Sequence, residues 1–177
     1  EPMPLTTRLI AEVRATLTST ATTPDLGTAT VGSFSTSTAV RDVSLATGTA
    51  VGQADRMFSD TRTIAASSND DLDLAGALTD ALGGTTVFVK VKGLYIAAAT
   101  GNTNNVLVGA GTNPWVTALN STGVITLRPG AVVMLAAGVA DNTAYGVTAA
   151  TADILRIANS GAGSTVSYDI VIVGTSA

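Results

Sequence analysis

Cysteine and histidine are both missing from this 177-residue chain. Without cysteine there is no disulfide framework, no thiolate metal site and no thiol nucleophile. Without histidine the usual general base, zinc ligand and triad member are lost together. Lysine occurs only at Lys90 and Lys92, charged residues make up 12% of the chain, and the net charge is −4. A sequence-independent grip on phosphates needs several cations acting at once, so no direct nucleic-acid partner is expected. Aromatic residues are 4% of the total. No apolar run approaches the roughly 18 residues of a membrane helix, and the longest, Ala131–Ala140, is interrupted by Gly138, so no membrane partner is expected. No charged n-region with an apolar h-region and a cleavage site precedes the body of the chain, and no secretory signal is expected.

What is present is small and β-branched: hydrophobic residues reach 46%, largely Ala and Val, among many Thr and Gly. Such a composition suits closely stacked sheets. A surface this poor in charge also implies that much of it is buried against other chains, because a free monomer normally relies on Lys and Glu for solubility. The length fits one all-β domain of ordinary size.

The last third is the most legible. Val124–Leu127 and Ala131–Leu135 flank Arg128-Pro129-Gly130, the punctuation of a tight turn between two strands. Ile154–Ile157 and Val166–Val173 flank a tract of small turn-formers from Asn159 to Ser164. Together they predict an antiparallel meander.

Upstream, Glu1-Pro2-Met3-Pro4 reads as an extended lead-in. Leu5, Leu9, Val13 and Leu17 recur every four residues, whereas Val13, Ala15 and Leu17 alternate with polar residues, so helix and strand templates compete. The density of threonine favours a strand over 12–20 with an arm before it. Thr22–Ser37 is a Thr/Ser/Gly/Ala tract that reads as an irregular edge or linker. Strands are predicted at Ala39–Leu45, Arg56–Ala65, Asp70–Leu74 and Val106–Val108, and a short helical turn at Ala75–Gly84. Val87, Val89 and Val91 predict a long strand with Lys90 and Lys92 on its solvated side and a bulge at Gly93. The expected architecture is an all-β antiparallel sandwich, jelly-roll-like, spanning 27–177, with an N-terminal arm and candidate first strand over 1–26.

No catalytic motif is present: there is no G-x-S-x-G, no H-E-x-x-H and no phosphate loop. Gly161-Ala162-Gly163 lies between strands with no helix after it and reads as a hairpin loop. Asp70, Asp71 and Asp73 are weak candidates for a calcium site through hard oxygen ligands, set against the plainer reading of a charged edge that discourages strand pairing. Trp115 beside Pro114 suits either a sugar-stacking loop or an anchor of a core or interface. Pro4, Leu5, Leu9, Trp115, Arg128 and Arg156 are the candidate interface residues. No cofactor is expected.

Several strings, among them Gly52-Gln53-Ala54-Asp55-Arg56-Met57-Phe58-Ser59-Asp60-Thr61-Arg62-Thr63, Asp71-Leu72-Asp73-Leu74-Ala75-Gly76, Gly101-Asn102-Thr103-Asn104-Asn105-Val106, Leu127-Arg128-Pro129-Gly130 and Ser167-Tyr168-Asp169-Ile170-Val171-Ile172-Val173-Gly174, run from about Gly48 to the C-terminus. In that order they resemble a family of small structural proteins of tailed bacteriophages, and the N-terminal section departs most from it. The resemblance implies a non-enzymatic virion component, assembled in the host cytoplasm. Its implied form is a capsid decoration (cement) protein bound to the major capsid protein and to itself, as a homotrimer. The alternative is a tail- or fibre-associated receptor- or glycan-binding module using Trp115, Asn113 and the Asn102–Asn105 loop. A carboxylate-dependent hydrolase is the weakest reading, since no paired acids can be placed from sequence.

Overall fold

The computed structural model describes residues 4–13, 16–19, 32–35, 40–76, 78–80 and 82–177, and within them every regular element is a strand. In chain order these are β1 (Thr7–Glu12), β2 (Thr16–Ser19), β3 (Gly32–Ser35), β4 (Val40–Thr47), β5 (Gln53–Ala54), β6 (Arg56–Ile64), β7 (Asn69–Asp73) and β8 (Leu78–Thr79). There follow β9 (Thr85–Thr86), β10 (Lys90–Ala98), β11 (Val106–Gly109), β12 (Val124–Leu127), β13 (Val132–Ala136), β14 (Tyr145–Gly146), β15 (Ile154–Asn159) and β16 (Val166–Thr175).

Two antiparallel sheets form the sandwich. One has the order β13-β10-β16-β6, with β14 also paired to β10; the other has the order β12-β11-β15-β7. Period-two alternation makes the core. Val166, Tyr168, Ile170 and Ile172 of β16 turn inward, as do Leu155 and Ile157 of β15, and they meet Phe58, Leu72, Ile96 and Val106 in one buried cluster. Each fully buried Ile, Val, Leu or Phe contributes roughly 1.5–3 kcal/mol. Although aromatic residues are scarce, Phe58, Phe88, Trp115 and Tyr168 are all buried, so the few bulky side chains fill the middle between the thin ones.

The other side of β16 is apolar too, since Ile170-Val171-Ile172-Val173 is a continuous run. The reason lies outside the sandwich. β1 pairs antiparallel with β4, and β4 pairs in parallel with β5, making a small third sheet. Its Val43 and Leu45, with Leu5 and Leu9, pack on Val171 and Val173 in a second cluster. A strand covered on both faces reads as unbroken hydrophobicity. Leu9 sits over Gly93, where an added Cβ would come 2.6 Å from its Cδ1.

Several expectations change. The expected meander of the last third is not formed: β12 and β13 lie in different sheets, as do β15 and β16. Their connecting turns cross from one sheet to the other, and turn residues alone do not distinguish a hairpin from such an arch. Residues 7–12, expected in the arm, are a strand, while the strand expected over 12–20 corresponds to β2. Long-range pairing with β4 fixes this, register running from Thr7 opposite Leu45 to Glu12 opposite Val40. Leu78–Thr79 and Thr85–Thr86 pair as a two-stranded hairpin where a helical turn was expected. Its turn is set by Asp80, whose Oδ1 accepts the N–H groups of Leu82 and Gly84 at 2.8 and 2.9 Å. The lead-in residues 1–3 and most of the Thr22–Ser37 tract lie outside the described residues.

The bulge predicted at Gly93 is present as a register shift between Val91 and Gly93. Lys92, which falls inside it, is not on a solvated face: it is 2% exposed. The shift turns its side chain under the Ala137–Asn142 segment, where Nζ donates to the Asp141 carbonyl at 2.9 Å. Burial holds its pKa below the ordinary lysine value.

Candidate functional site

The three aspartates of β7 are not brought together. Alternation sends Asp70 to the inner side with Leu72, and its carboxylate spans the two sheets. It accepts Arg62 Nε at 2.5 Å and Nη2 at 3.1 Å from β6, and the Tyr168 hydroxyl at 2.8 Å from β16. Arg62 also donates to Asp60 at 2.9 Å. Asp71 faces out and takes both Nε and Nη2 of Arg156 at 2.6 Å, because the β15–β7 register sets the two residues opposite each other. Asp73 Oδ1 accepts the Ala75 N–H at 3.1 Å and shapes the turn that follows.

The electrostatics follow from these partners. The Arg156 guanidinium holds the Asp71 carboxyl below the usual range, and Asp70 raises the pKa of Arg62. Burial, then Asp70, pushes the Tyr168 phenol well above its ordinary value. Among the described residues no group of three His, Cys, Asp or Glu converges on a point where a cation would sit. The cluster acts as an inter-sheet clamp and a charged edge.

Trp115 lies in the core, 5% exposed, with its indole N–H donated to the Gly146 carbonyl at 2.9 Å. Tyr145 meets it edge to face, centroids 6.1 Å apart at 72°. The indole closes an apolar cavity of about 40 Å3 at one end of the sandwich, bounded by Leu94, Val108, Leu119, Ile125, Val133 and Leu155 among others. No titratable side chain lines it. An indole this buried presents no face to a sugar.

The Asn102–Asn105 loop is likewise turned inward. Asn102 exchanges two hydrogen bonds of 2.8 Å with the backbone of Ser167, and Asn104 donates to Asn159 Oδ1 at 3.0 Å. Asn159 is the hub: buried, it also donates to the carbonyls of Ala65 and Ser164 at 3.1 and 2.8 Å. Of the interface candidates, Leu5 and Leu9 pack on this chain's own sandwich, and Arg156 has its partner in Asp71. Pro4 and Arg128 are exposed. Asn113 has a positive φ of 49° and accepts the N–H of Ile154 at 3.0 Å, so it is committed to the turn before Trp115.

Sequence reading missed Arg62, Tyr168, Lys92 and Asn159 as chemically committed groups. For Arg62 the available signal was a cation in a strand eight residues before an acid. For Lys92 there was none, since its position follows from the register shift and from a contact with Asp141, 49 positions away.

No family model, curated protein or solved structure matches this chain.

Proposed function

We propose that this chain is a structural component of a tailed-bacteriophage particle, a non-catalytic head decoration protein that binds the major capsid protein, associates with itself and stabilises the shell. One observation carries most of the reading. When the eight sandwich strands β6, β7, β10, β11, β12, β13, β15 and β16 are numbered one to eight, the sheets run 6-3-8-1 and 5-4-7-2. We read that order as a long hairpin, pairing 1 with 8, 2 with 7, 3 with 6 and 4 with 5, rolled up into two Greek keys, the jelly roll found in capsid and lectin domains.

Fold alone does not assign function, so the rest of the support is chemical. Asp70, Asp71, Asp73, Arg62 and Arg156 are consumed by internal pairs. The apolar cavity has no convergent polar groups for a substrate. The sequence strings from Gly48 onward add the phage resemblance. A receptor- or glycan-binding role draws less support, because Trp115 and the Asn loop face inward.

The test is a comparison of particles with and without this chain. Particles carrying it are expected to hold their genome to a higher temperature, and image reconstruction is expected to find it on the head. Equal heat resistance in the two populations, or a location confined to the tail, overturns the proposal.

A further inference from the structure

Three of the four sandwich edges are guarded. β7 carries Asp70, Asp71 and Asp73; β6 carries Arg56, Asp60 and Arg62; β12 has four residues and runs into Arg128-Pro129. Charges, shortness and proline are the devices by which native sheets prevent edge-to-edge pairing. The fourth edge, β13, has none: Ala131–Ala137 contains no charged or polar residue and no proline.

This edge is also open. Ala98 N–H donates to Ala131 O and Ala137 N–H to Lys92 O, which sets the alternation along β13. The N–H and C=O groups of Val132, Met134 and Ala136 therefore point away from β10, and they meet no backbone partner among the described residues. On the outer face beside this edge, Val132 is 55% and Tyr95 39% exposed. The third sheet stops short of them. Its Ile10, Val13 and Val40 are exposed across a groove floored by Tyr95, Val132 and Met134.

We infer that the β13 edge and the apolar groove next to it form a self-association surface, and that its occupant is a second copy of this chain with its β13 antiparallel to the first. With Met134 on a twofold axis, Val132 stands opposite Ala136 and Val133 opposite Leu135, apolar against apolar. Pairing β13 with the β6 or β7 edge would set Val or Met against Asp or Arg instead, and β12 offers only four residues. The two charged residues at the groove, Glu12 and Arg41, are of opposite sign, so the face has no net charge to repel its own image. An isologous contact needs only this one patch. The pair joins two five-stranded sheets into a continuous one and covers Tyr95 and Val132.

A second feature points the same way. β2 pairs only with β3, register Thr16 opposite Ser35 to Ser19 opposite Gly32, with no third strand among the described residues. A two-stranded ribbon alone is marginal in water. Between Arg14 and Arg41 the sequence holds a single charge, Asp25.

The inference stands independently of the capsid reading and is tested on the purified full chain. Sedimentation velocity over a dilution series is expected to show a dimer. Val132→Lys, which restores the missing guard at a half-exposed position, is expected to raise the dissociation constant about tenfold or more. Val124→Lys, the same change on the β12 edge, is expected to leave it unaltered. Tyr95→Ser provides a second, milder variant, also expected to weaken the dimer, with circular dichroism checking the fold of each. A monomer at every concentration overturns the inference, as does an oligomer of any size that withstands Val132→Lys. So does a monomer that binds capsid shells and loses that binding on Val132→Lys, an outcome that gives the face to the capsid while leaving the proposed function standing.

Discussion

Asp70 illustrates how this chain uses its few charges. It sits on the inner side of an edge strand, where a lone carboxylate would be costly, and three donors from the opposite sheet satisfy it. Removing one donor while leaving the others costs the net value of one hydrogen bond. Tyr168→Phe is therefore expected to lower unfolding free energy by about 1 kcal/mol, read from urea denaturation. Asp71 gives a pH dependence instead. Its folded pKa lies below the unfolded value of about 3.9, so the stabilisation is complete above that pH and is lost as pH falls towards the folded pKa. Melting temperature is expected to fall on acidification below about pH 4, and Asp71→Asn is expected to flatten that slope. The opposition of Asp71 and Arg156 could not be read from the sequence, because the two lie 85 positions apart and only strand register makes them neighbours.

At the scale of elements, the strands themselves were legible and their partners were not. β6, β7, β11, β12, β15 and β16 announce themselves by alternation, β-branched residues and flanking turn-formers. Whether the next strand pairs with its predecessor or crosses to the other sheet depends on where its apolar face finds a partner, which local pattern does not encode. β10 and β16 show how tight such a pairing is. A Cβ added to Gly174 would lie 2.2 Å from the Lys90 carbonyl oxygen and 2.8 Å from Phe88 Cδ1. The obstacle is backbone and cannot swing aside. Gly174→Ala is expected to cost about 1–3 kcal/mol, towards the upper end of the range for overpacked positions, and equilibrium unfolding measures it. A loss under 0.5 kcal/mol, within the range of ordinary surface substitutions, would show that β16 shifts freely.

For the whole molecule, the two hydrophobic clusters predict two levels of stability. The sandwich core is large and continuous, while the third sheet rests on it through Val43, Leu45, Leu5 and Leu9. Val43→Ala removes buried methyl groups from the smaller cluster. It is expected to speed amide exchange in β1 and β4 by one to two orders of magnitude while β15 and β16 keep their protection, since subglobal units open separately. Uniform acceleration would mean that the three layers unfold as one.

The sequence by itself determined the class of fold, because alternation, β-branching and closely spaced turns leave no other way to bury Val, Ile and Leu. It also withheld the common catalytic side chains, histidine and cysteine. Only the tertiary structure decided which strands share a sheet, why Ile170–Val173 is apolar on both sides, how Lys92 comes to be buried and which edge is left without a guard. Those properties belong to contacts between residues tens of positions apart, and a pattern read along the chain carries no information about the neighbour across the gap.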